Sequence, residues 1–312
     1  MEYFEDVIGQ EKPKMQLSHF IDYFRKHPVL PNFLFVAQKG DGKTMLSTLF
    51  AKHLKEVRPD KNFAPIINAS LVENLDYFWE HVVLPYVAQG NFTILVDEAS
   101  ELPRSVMMML LTALQPNEQH RNSVLNYGVS VEFNFARTTF IFATTDPQKL
   151  TNAFKDRLKI VSLQHYTKQN IIDIIGRRLD SKEITASSVS LDKLSDHIKH
   201  NGRAAVLLCD DIVRYCQLHS CSTFVEADCE ELIKIHDLHL YGLDKNDLAV
   251  LKALRRDRFV KLMDLSSITG LERSAIQNEF ETNLIRHGLM GRDTKGRYIT
   301  KKGVSYLDKF QL

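Results

Sequence analysis

A strand-like segment near the start of this chain runs directly into a glycine-containing loop, and a helix-like segment follows the loop. Apolar residues 32–36 precede the loop A-Q-K-G-D-G-K-T at positions 37–44, and residues 45–54 have helical spacing. This order lets backbone N–H groups surround phosphates, while a Lys reaches the β/γ-phosphates and a Ser or Thr hydroxyl holds Mg²⁺. We therefore expect a nucleotide and Mg²⁺ at this loop. The residues assigned to the nucleotide are Gly40, Asp41, Gly42, Lys43 and Thr44.

The match to the phosphate-binding pattern G-x-x-x-x-G-K-[ST] is incomplete, because Ala37 stands at its first position. An ordinary surface turn is the alternative interpretation. Support for the nucleotide site comes from residues 91–98, which read as a buried strand ending in two carboxylates. Asp97 can orient Mg²⁺ and its waters, and Glu98 can polarise an attacking water. A helix-capping acid pair is the alternative for these two residues.

Length and composition limit the class of protein. The 312 residues are enough for two or three domains. The sequence has no apolar run long enough to span a membrane, and its first six residues contain three acidic residues and no basic one, so we expect a cytosolic protein without a signal or transit peptide. Its cysteines are Cys209, Cys216, Cys221 and Cys229. Without a C-x-x-C pair, reduced and mostly buried thiols are favoured over a metal site with His219 or His236.

The charge is unevenly distributed although the net charge of the chain is only +1. Residues 244–312 contain 14 Lys/Arg against 9 Asp/Glu, which leaves 26 against 30 in residues 1–243. A basic C-terminal part attached to a mildly acidic remainder suggests that the C-terminal part holds an anionic partner. A solvated charged face is the alternative.

The pattern of apolar residues predicts three domains. In residues 1–163, strand-like runs at 33–37, 64–68, 93–97, 138–143 and 159–163 alternate with helical patterns such as 15–24 and 45–54. Alternating strands and helices predict an α/β domain with a parallel sheet covered on both faces. Residues 164–241 are expected to form a helical lid, since 169–179, 191–199 and 203–217 have helical spacing without a strand pattern.

Residues 122–135 interrupt the α/β pattern with strict alternation. Val129, Val131, Phe133 and Phe135 fall on one side, which predicts an inserted hairpin with its turn at 126–128. Its apolar side can pack on the sheet or dock a partner, and the sequence leaves both interpretations open.

Residues 242–312 are predicted to form a winged helix. Helical patterns at 245–255, 262–268 and 274–287 are followed by Gly288 and by a hairpin around 294–296. Such domains meet DNA through the third helix and the wing, although many bind protein instead. The candidate contacts to DNA phosphates are Arg286, Arg292, Lys295 and Arg297.

The order of these motifs resembles one family along nearly the whole chain, from Phe4 to Tyr298. That family is the RuvB-type Holliday-junction branch-migration motors, which are hexameric AAA+ ATPases. The resemblance implies an AAA+ domain, a helical lid and a winged helix. It also implies ATP with Mg²⁺, a homo-hexamer on duplex or junction DNA, and a junction-binding partner protein at the hairpin 122–135.

The resemblance also assigns residues that spacing alone does not. The segment at Val7 and Ile8 would pack on the adenine. Thr145, at the end of a strand like the family's sensor 1, would probe the γ-phosphate. Arg157 resembles the arginine finger that reaches the neighbouring subunit's nucleotide, and Arg203 resembles the sensor-2 arginine that contacts phosphate within its own subunit.

Three departures from the family keep two classes of function open, and the first is Ala37 in the phosphate loop. Lys155 replaces a second arginine beside the finger, and residues 144–147 are more like those of clamp-loader ATPases. The chain is expected to be either an ATP-hydrolysing motor that moves duplex DNA or an ATP-switched DNA-binding scaffold or loader. Retention of the whole set of nucleotide-site residues favours hydrolysis, because a pure scaffold could lose several of them. It does not favour translocation.

Overall fold

The computed structural model describes residues 3–126 and 128–310. These residues form two compact units. The first comprises the described residues up to Asn170 together with Asn201–Arg203, and the second comprises Ile171–His200 and the described residues from Ala204 onward. No helix among the described residues is long and apolar enough to cross a membrane. The domain boundaries predicted after residues 163 and 241 stay predictions.

A parallel sheet forms the centre of the first unit. Its strands are β1 (Asn32–Val36), β2 (Asn62–Phe63), β3 (Ile67–Asn68), β4 (Phe92–Asp97), β7 (Thr139–Thr144) and β8 (Leu158–Ser162). They lie in the order β2–β4–β7–β1–β8, and β3 also pairs with β4. The continuous strand predicted at 64–68 is wrong. Pro65 interrupts it, because proline has no N–H to donate to a neighbouring strand, and two short strands flank the break.

Helices cover this sheet. They are α1 (Glu11–Lys26), α2 (Lys43–Val57), α3 (Leu75–Phe78, continued by π-helical turns at Trp79–Val87), α4 (Arg104–Ala113) and α5 (Asn152–Lys155). In α1 the buried residues Pro13, Leu17, Ile21 and Phe24 recur at helical spacing. One stripe of this helix is therefore apolar and packs inward.

Both faces of the sheet are buried at its three central strands, β1, β4 and β7, whose alternate residues lie on opposite faces. Leu34, Ile94, Val96, Phe140 and Phe142 belong to one apolar cluster. Their strand neighbours Phe33, Phe35, Leu95, Ile141 and Ala143 belong to the cluster on the other face. A sheet with helices on both faces needs apolar residues at nearly every strand position. The predicted parallel-sheet α/β class is confirmed.

The inserted hairpin consists of β5 (Arg121–Asn126) and β6 (Val129–Asn134). Tyr127, in its predicted turn, lies outside the described residues. Phe133 is completely buried and stacks on Phe140, with ring centroids 6.2 Å apart. Near the tip, by contrast, Leu125 is 69% exposed and Val129 is 48% exposed. The base of the hairpin packs on the sheet and its tip carries exposed apolar side chains.

The second unit begins with helices and a short strand pair. It contains most of α6 (Lys168–Asp180) and α8 (Gly202–Leu218) and all of α7 (Ser188–Ser195) and α9 (Glu226–Ile235). Helical spacing did not predict the strands β9 (Thr185–Ala186) and β10 (Thr223–Phe224), which pair in parallel. Strands of two residues are too short for an alternating pattern to be visible. Three cysteines in this part, Cys209, Cys216 and Cys229, are buried thiols.

The C-terminal part is a winged helix, as predicted. It contains α10 (Lys245–Leu254), α11 (Leu262–Thr269), a third helix made of α12 (Arg273–Ala275), π-helical turns (Ile276–Phe280) and α13 (Glu281–Arg286), the wing strands β11 (Met290–Asp293) and β12 (Gly296–Ile299), and α14 (Lys301–Lys309). Helix α14 was not predicted. Its Tyr306 and Leu307 are buried in the core of this domain.

We expect the two halves of the inserted hairpin to differ in their effect on stability. Phe133→Ala should lower the free energy of unfolding by about 3–5 kcal/mol, because it empties a fully buried aromatic site. Leu125→Ala should change it by less than about 0.5 kcal/mol, because that side chain is exposed. Urea unfolding of both variants and the parent measures the difference, and equal losses would contradict this packing.

Candidate functional site

The candidate nucleotide site lies at one edge of the parallel sheet. Strands β1, β4 and β7 are adjacent and parallel, so their carboxyl ends meet at the same edge. The phosphate-binding loop follows β1, the carboxylates of Asp97 and Glu98 come at the end of β4, and Thr145 directly follows β7. The sheet order thus brings together three segments that are far apart in the sequence.

Lys43 joins the loop to the carboxylates. Its Nζ donates to Asp97 Oδ1 at 2.9 Å and to Glu98 Oε1 at 3.1 Å. The Thr44 hydroxyl donates to the second oxygen of Asp97 at 2.6 Å. Thr145 Oγ1 lies 3.4 Å from Glu98 Oε2. The five side chains form one continuous cluster, with hydroxyl and carboxylate oxygens of the kind that Mg²⁺ prefers.

The two carboxylates have different surroundings. Burial raises the pKa of Asp97, but the hydrogen bonds from Thr44 and Lys43 and the charge of Lys43 outweigh burial and hold the pKa below its ordinary value. Asp97 therefore stays ionised at neutral pH. Glu98 is more exposed, with 41% of its side chain accessible. Its backbone adopts the left-handed region at φ 51°, which is costly for a residue with a Cβ.

The structure explains why the loop accepts Ala37. Among residues 37–44, only Gly40 (φ 92°) and Gly42 (φ 86°) have positive φ. These two positions need glycine, because other residues rarely adopt that region. Ala37 is buried at the end of the strand and its N–H donates to the Thr144 carbonyl at 3.4 Å. A methyl group at position 37 is compatible with the loop.

A second segment reaches the loop from a distant part of the sequence. The backbone N–H of Arg203 donates to the Gly40 carbonyl at 3.2 Å, and the side chain of Arg203 is exposed. The Asn201 side chain packs so closely on Gly40 that a Cβ at position 40 would lie 2.7 Å from its oxygen. The structure thus places Arg203 at the phosphate loop. Asn201 was missed, since no sequence motif marks it.

Residues 164–166 also border the loop and were not predicted. His165 Nδ1 lies 2.9 Å from a carboxylate oxygen of Asp41. A Cβ at Gly42 would lie 3.2 Å from the hydroxyl of Tyr166. Burial is the main cause of the raised pKa of Tyr166, so this phenol stays protonated at neutral pH. Single aromatic and imidazole residues after a strand carry no recognisable sequence signal.

The N-terminal segment that includes Val7 and Ile8 is attached to the same region. Gln10 exchanges two hydrogen bonds with the backbone of Gln164, at 2.6 and 2.8 Å. Lys14 Nζ donates to the Val7 carbonyl at 2.9 Å. Val7 is buried and Ile8 is half-buried. These contacts hold the segment beside the residues that border the loop, and its role at the adenine stays a prediction.

Arg157 does not join this cluster. It precedes β8, and its guanidinium contacts the end of α4 and α5 instead. Nε donates to the Leu111 carbonyl at 3.0 Å, and the two terminal nitrogens donate to the Ala153 carbonyl and to Gln115 Oε1, each at 2.5 Å. The structure thus places it apart from the nucleotide site of its own chain.

The four predicted DNA contacts divide into two kinds. Arg286, Arg292 and Lys295 are exposed, the last two in the wing. Arg297 does not fit the role predicted for it. Its Nε lies 2.6 Å from Glu281 Oε1, and the two side chains are only 11% and 4% exposed. A guanidinium that neutralises a buried carboxylate is committed to the domain's structure and is a poor phosphate contact.

The chain resembles RuvB proteins over almost its whole length. Residues 240–308 match the RuvB C-terminal winged helix domain. The RuvB subunit of the Holliday junction branch migration complex from Bifidobacterium longum is 27% identical over 314 residues, covering 96% of this chain and 84% of the relative. The corresponding subunit from Mycoplasmopsis pulmonis is 24% identical, with coverage of 98% and 96%.

Solved structures show the same likeness in three dimensions. The Thermotoga maritima RuvB Holliday junction branch migration motor superimposes with a TM-score of 0.81 at 19% identity, covering 99% of this chain and 97% of that one. At this identity the agreement establishes the shared fold. The resemblance to RuvB-type proteins and the predicted α/β, helical and winged-helix architecture are confirmed.

We expect Arg297→Ala to lower the free energy of unfolding by about 3–5 kcal/mol, because it leaves the buried carboxylate of Glu281 without its cation. Lys295→Ala, in the same wing, should change it by less than about 0.5 kcal/mol. Adding Glu281→Leu to Arg297→Ala should recover much of the loss. Urea unfolding measures the free energy of unfolding of all three variants. If Arg297→Ala leaves it unchanged, Arg297 is again a candidate contact to DNA phosphates.

Proposed function

We propose that this chain is an ATPase that translocates duplex DNA and thereby drives branch migration of four-way junctions. The observation that carries the proposal is the cluster of Lys43, Thr44, Asp97 and Glu98, formed at the phosphate loop of a chain that also has a winged helix. The relatives that match almost the whole chain are named as subunits of a Holliday junction branch migration complex.

Each member of the cluster has a chemical role in this proposal. The ammonium of Lys43 binds the β/γ-phosphates, and Gly40, Asp41 and Gly42 supply the surrounding backbone. The Thr44 hydroxyl and the Asp97 carboxylate hold Mg²⁺, which neutralises charge on the phosphates. Glu98 polarises the attacking water. The Lys43 ammonium has three N–H donors, and two of them bond these carboxylates.

Residues around the cluster complete the proposed site. Thr145 senses the γ-phosphate, which its place beside Glu98 supports. Arg203 contacts phosphate within the same subunit, which its backbone hydrogen bond to Gly40 of the loop supports. Val7 and Ile8 contact the adenine. These assignments predict that nucleotide binding joins the N-terminal segment, the sheet edge and the segment at 201–203.

The proposal includes a ring of identical subunits, as the RuvB resemblance implies a homo-hexamer. Arg157 lies away from the phosphate loop of its own chain, and this position supports a role at a neighbouring subunit's nucleotide. A guanidinium there stabilises charge that develops on the transferred phosphoryl group. The exposed apolar tip of the hairpin 122–135 supports docking of a junction-binding partner protein.

We expect Lys43→Ala to abolish ATP binding and hydrolysis, because it removes the cation of the phosphate loop. Glu98→Gln should bind ATP with unchanged affinity and hydrolyse it at least about 100-fold more slowly. Lys39→Ala is the matched control, since Lys39 is an exposed lysine of the same loop. Binding isotherms and steady-state ATPase rates measure these effects. Parental ATP binding and hydrolysis by Lys43→Ala would contradict the assignment.

The same proteins distinguish a motor from a loader. The parent should convert a synthetic four-way junction to duplex products when ATP is present, and Lys43→Ala and Glu98→Gln should not. If DNA stimulates ATP hydrolysis but the junction does not move, with or without a junction-binding partner, the result would instead favour the ATP-switched scaffold or loader.

For the DNA interface, we expect Arg292→Ala combined with Lys295→Ala to reduce the magnitude of the slope of log affinity against log salt by about 2 for duplex DNA. Each phosphate contact that is lost reduces the number of counterions released on binding. ATP hydrolysis without DNA should not change. The pair Lys245→Ala and Lys252→Ala removes the same charge from α10 and serves as the control. Equal slopes in the parent and the wing variant would indicate that the wing binds protein rather than DNA.

A further inference from the structure

The guanidinium of Arg157 is held by three acceptors, and all three are uncharged. Two are the backbone carbonyls of Leu111 and Ala153, in α4 and α5. The third is the side-chain oxygen of Gln115. Neutral acceptors orient a guanidinium and leave its charge in place. A carboxylate would orient it and also neutralise its charge.

The arginine remains accessible in this arrangement. Its side chain is half-buried and lines a surface cavity of about 480 Å³ together with His19, Tyr23 and His120. A guanidinium has five N–H donors, and the three hydrogen bonds use only part of that set. Arg157 is therefore oriented, charged and open to an anion from another molecule.

Gln115 is itself fixed in place by the hairpin. Asn122, in the first hairpin strand, donates through Nδ2 to the Gln115 carbonyl at 2.6 Å and to the Ala113 carbonyl at 2.9 Å. The Asn122 side chain also accepts a hydrogen bond from Asn117 at 2.7 Å. A chain of hydrogen bonds thus runs from the base of the hairpin through Gln115 to Arg157.

We propose that Gln115 is a positioning residue for Arg157 in ATP hydrolysis, and that Asn122 fixes Gln115 for this purpose. The proposal rests on the proposed role of Arg157 at a neighbouring subunit's nucleotide. Gln115 does not touch the nucleotide. It restricts the orientation of the guanidinium before the neighbouring site is complete, and it leaves the positive charge available for the transition state.

This role predicts how substitutions affect the kinetics. Gln115→Ala should lower kcat about threefold to tenfold, because one orienting hydrogen bond is lost. Gln115→Glu should lower it further, because a carboxylate pairs with the guanidinium and cancels its charge. KM for ATP should stay within about twofold in both, since an interaction made in the transition state changes kcat. Asn122→Ala should lower kcat as well, by a smaller factor than Gln115→Ala.

Mixed rings separate this role from a general structural one. Arg157→Ala subunits bind ATP but lack the finger, and Lys43→Ala subunits provide the finger but bind no ATP. Mixing the two should restore hydrolysis at the shared interfaces. Gln115→Ala added to the Lys43→Ala subunit should lower the restored rate about threefold to tenfold. Added to the Arg157→Ala subunit, it should have no effect.

The outcomes are distinguishable. Absence of rescue at every mixing ratio would overturn the role of Arg157 between subunits, and this inference with it. If Gln115→Ala lowers the restored rate equally in both subunits, or in neither, the inference on Gln115 is wrong while the role of Arg157 between subunits stands. Gln16→Ala is the control, because Gln16 also makes a side-chain hydrogen bond to backbone, at the Ile160 carbonyl. It should leave the restored rate unchanged in either subunit.

Discussion

The candidate site depends on one buried cation. The side chain of Lys43 is only 7% exposed, and its ammonium lies between Asp97 and Glu98. A buried ammonium is costly unless anions and hydrogen-bond acceptors surround it, so the carboxylates at the end of β4 stabilise Lys43 in the first turn of α2. This interaction joins the phosphate loop to the central strand, and it aligns the Thr44 hydroxyl with Asp97.

The order of strands makes this interaction geometrically available. Strand β7 lies between β1 and β4, so the loop after β1 and the carboxylates after β4 meet across the end of β7. Thr145 follows β7 and therefore lies beside Glu98. The three central strands β1, β4 and β7 bury alternate residues on both faces, and helices cover each face.

The partner of each arginine decides what the arginine can do. Arg297 lies against Glu281, and the mutual neutralisation of two nearly buried charges makes this pair a structural element of the wing. Arg157 lies against uncharged acceptors, and its charge remains available. Arg292 and Lys295 are exposed to solvent. Four basic residues that look alike in the sequence therefore lie in three different local environments.

The sequence by itself determined most of the longer elements and the local chemistry. The alternation of strands and helices, the loop at 37–44, the acid pair Asp97 and Glu98, the hairpin and the winged helix follow from spacing and local residue patterns, whereas β9, β10 and α14 did not. Only the tertiary structure decided which residues meet. The contacts of Asn201 and Tyr166 with the loop, the commitment of Arg297 to Glu281 and the hydrogen bond of Gln115 to Arg157 join residues that are distant in the sequence. No local pattern encodes such contacts, because they depend on how the packed elements are placed.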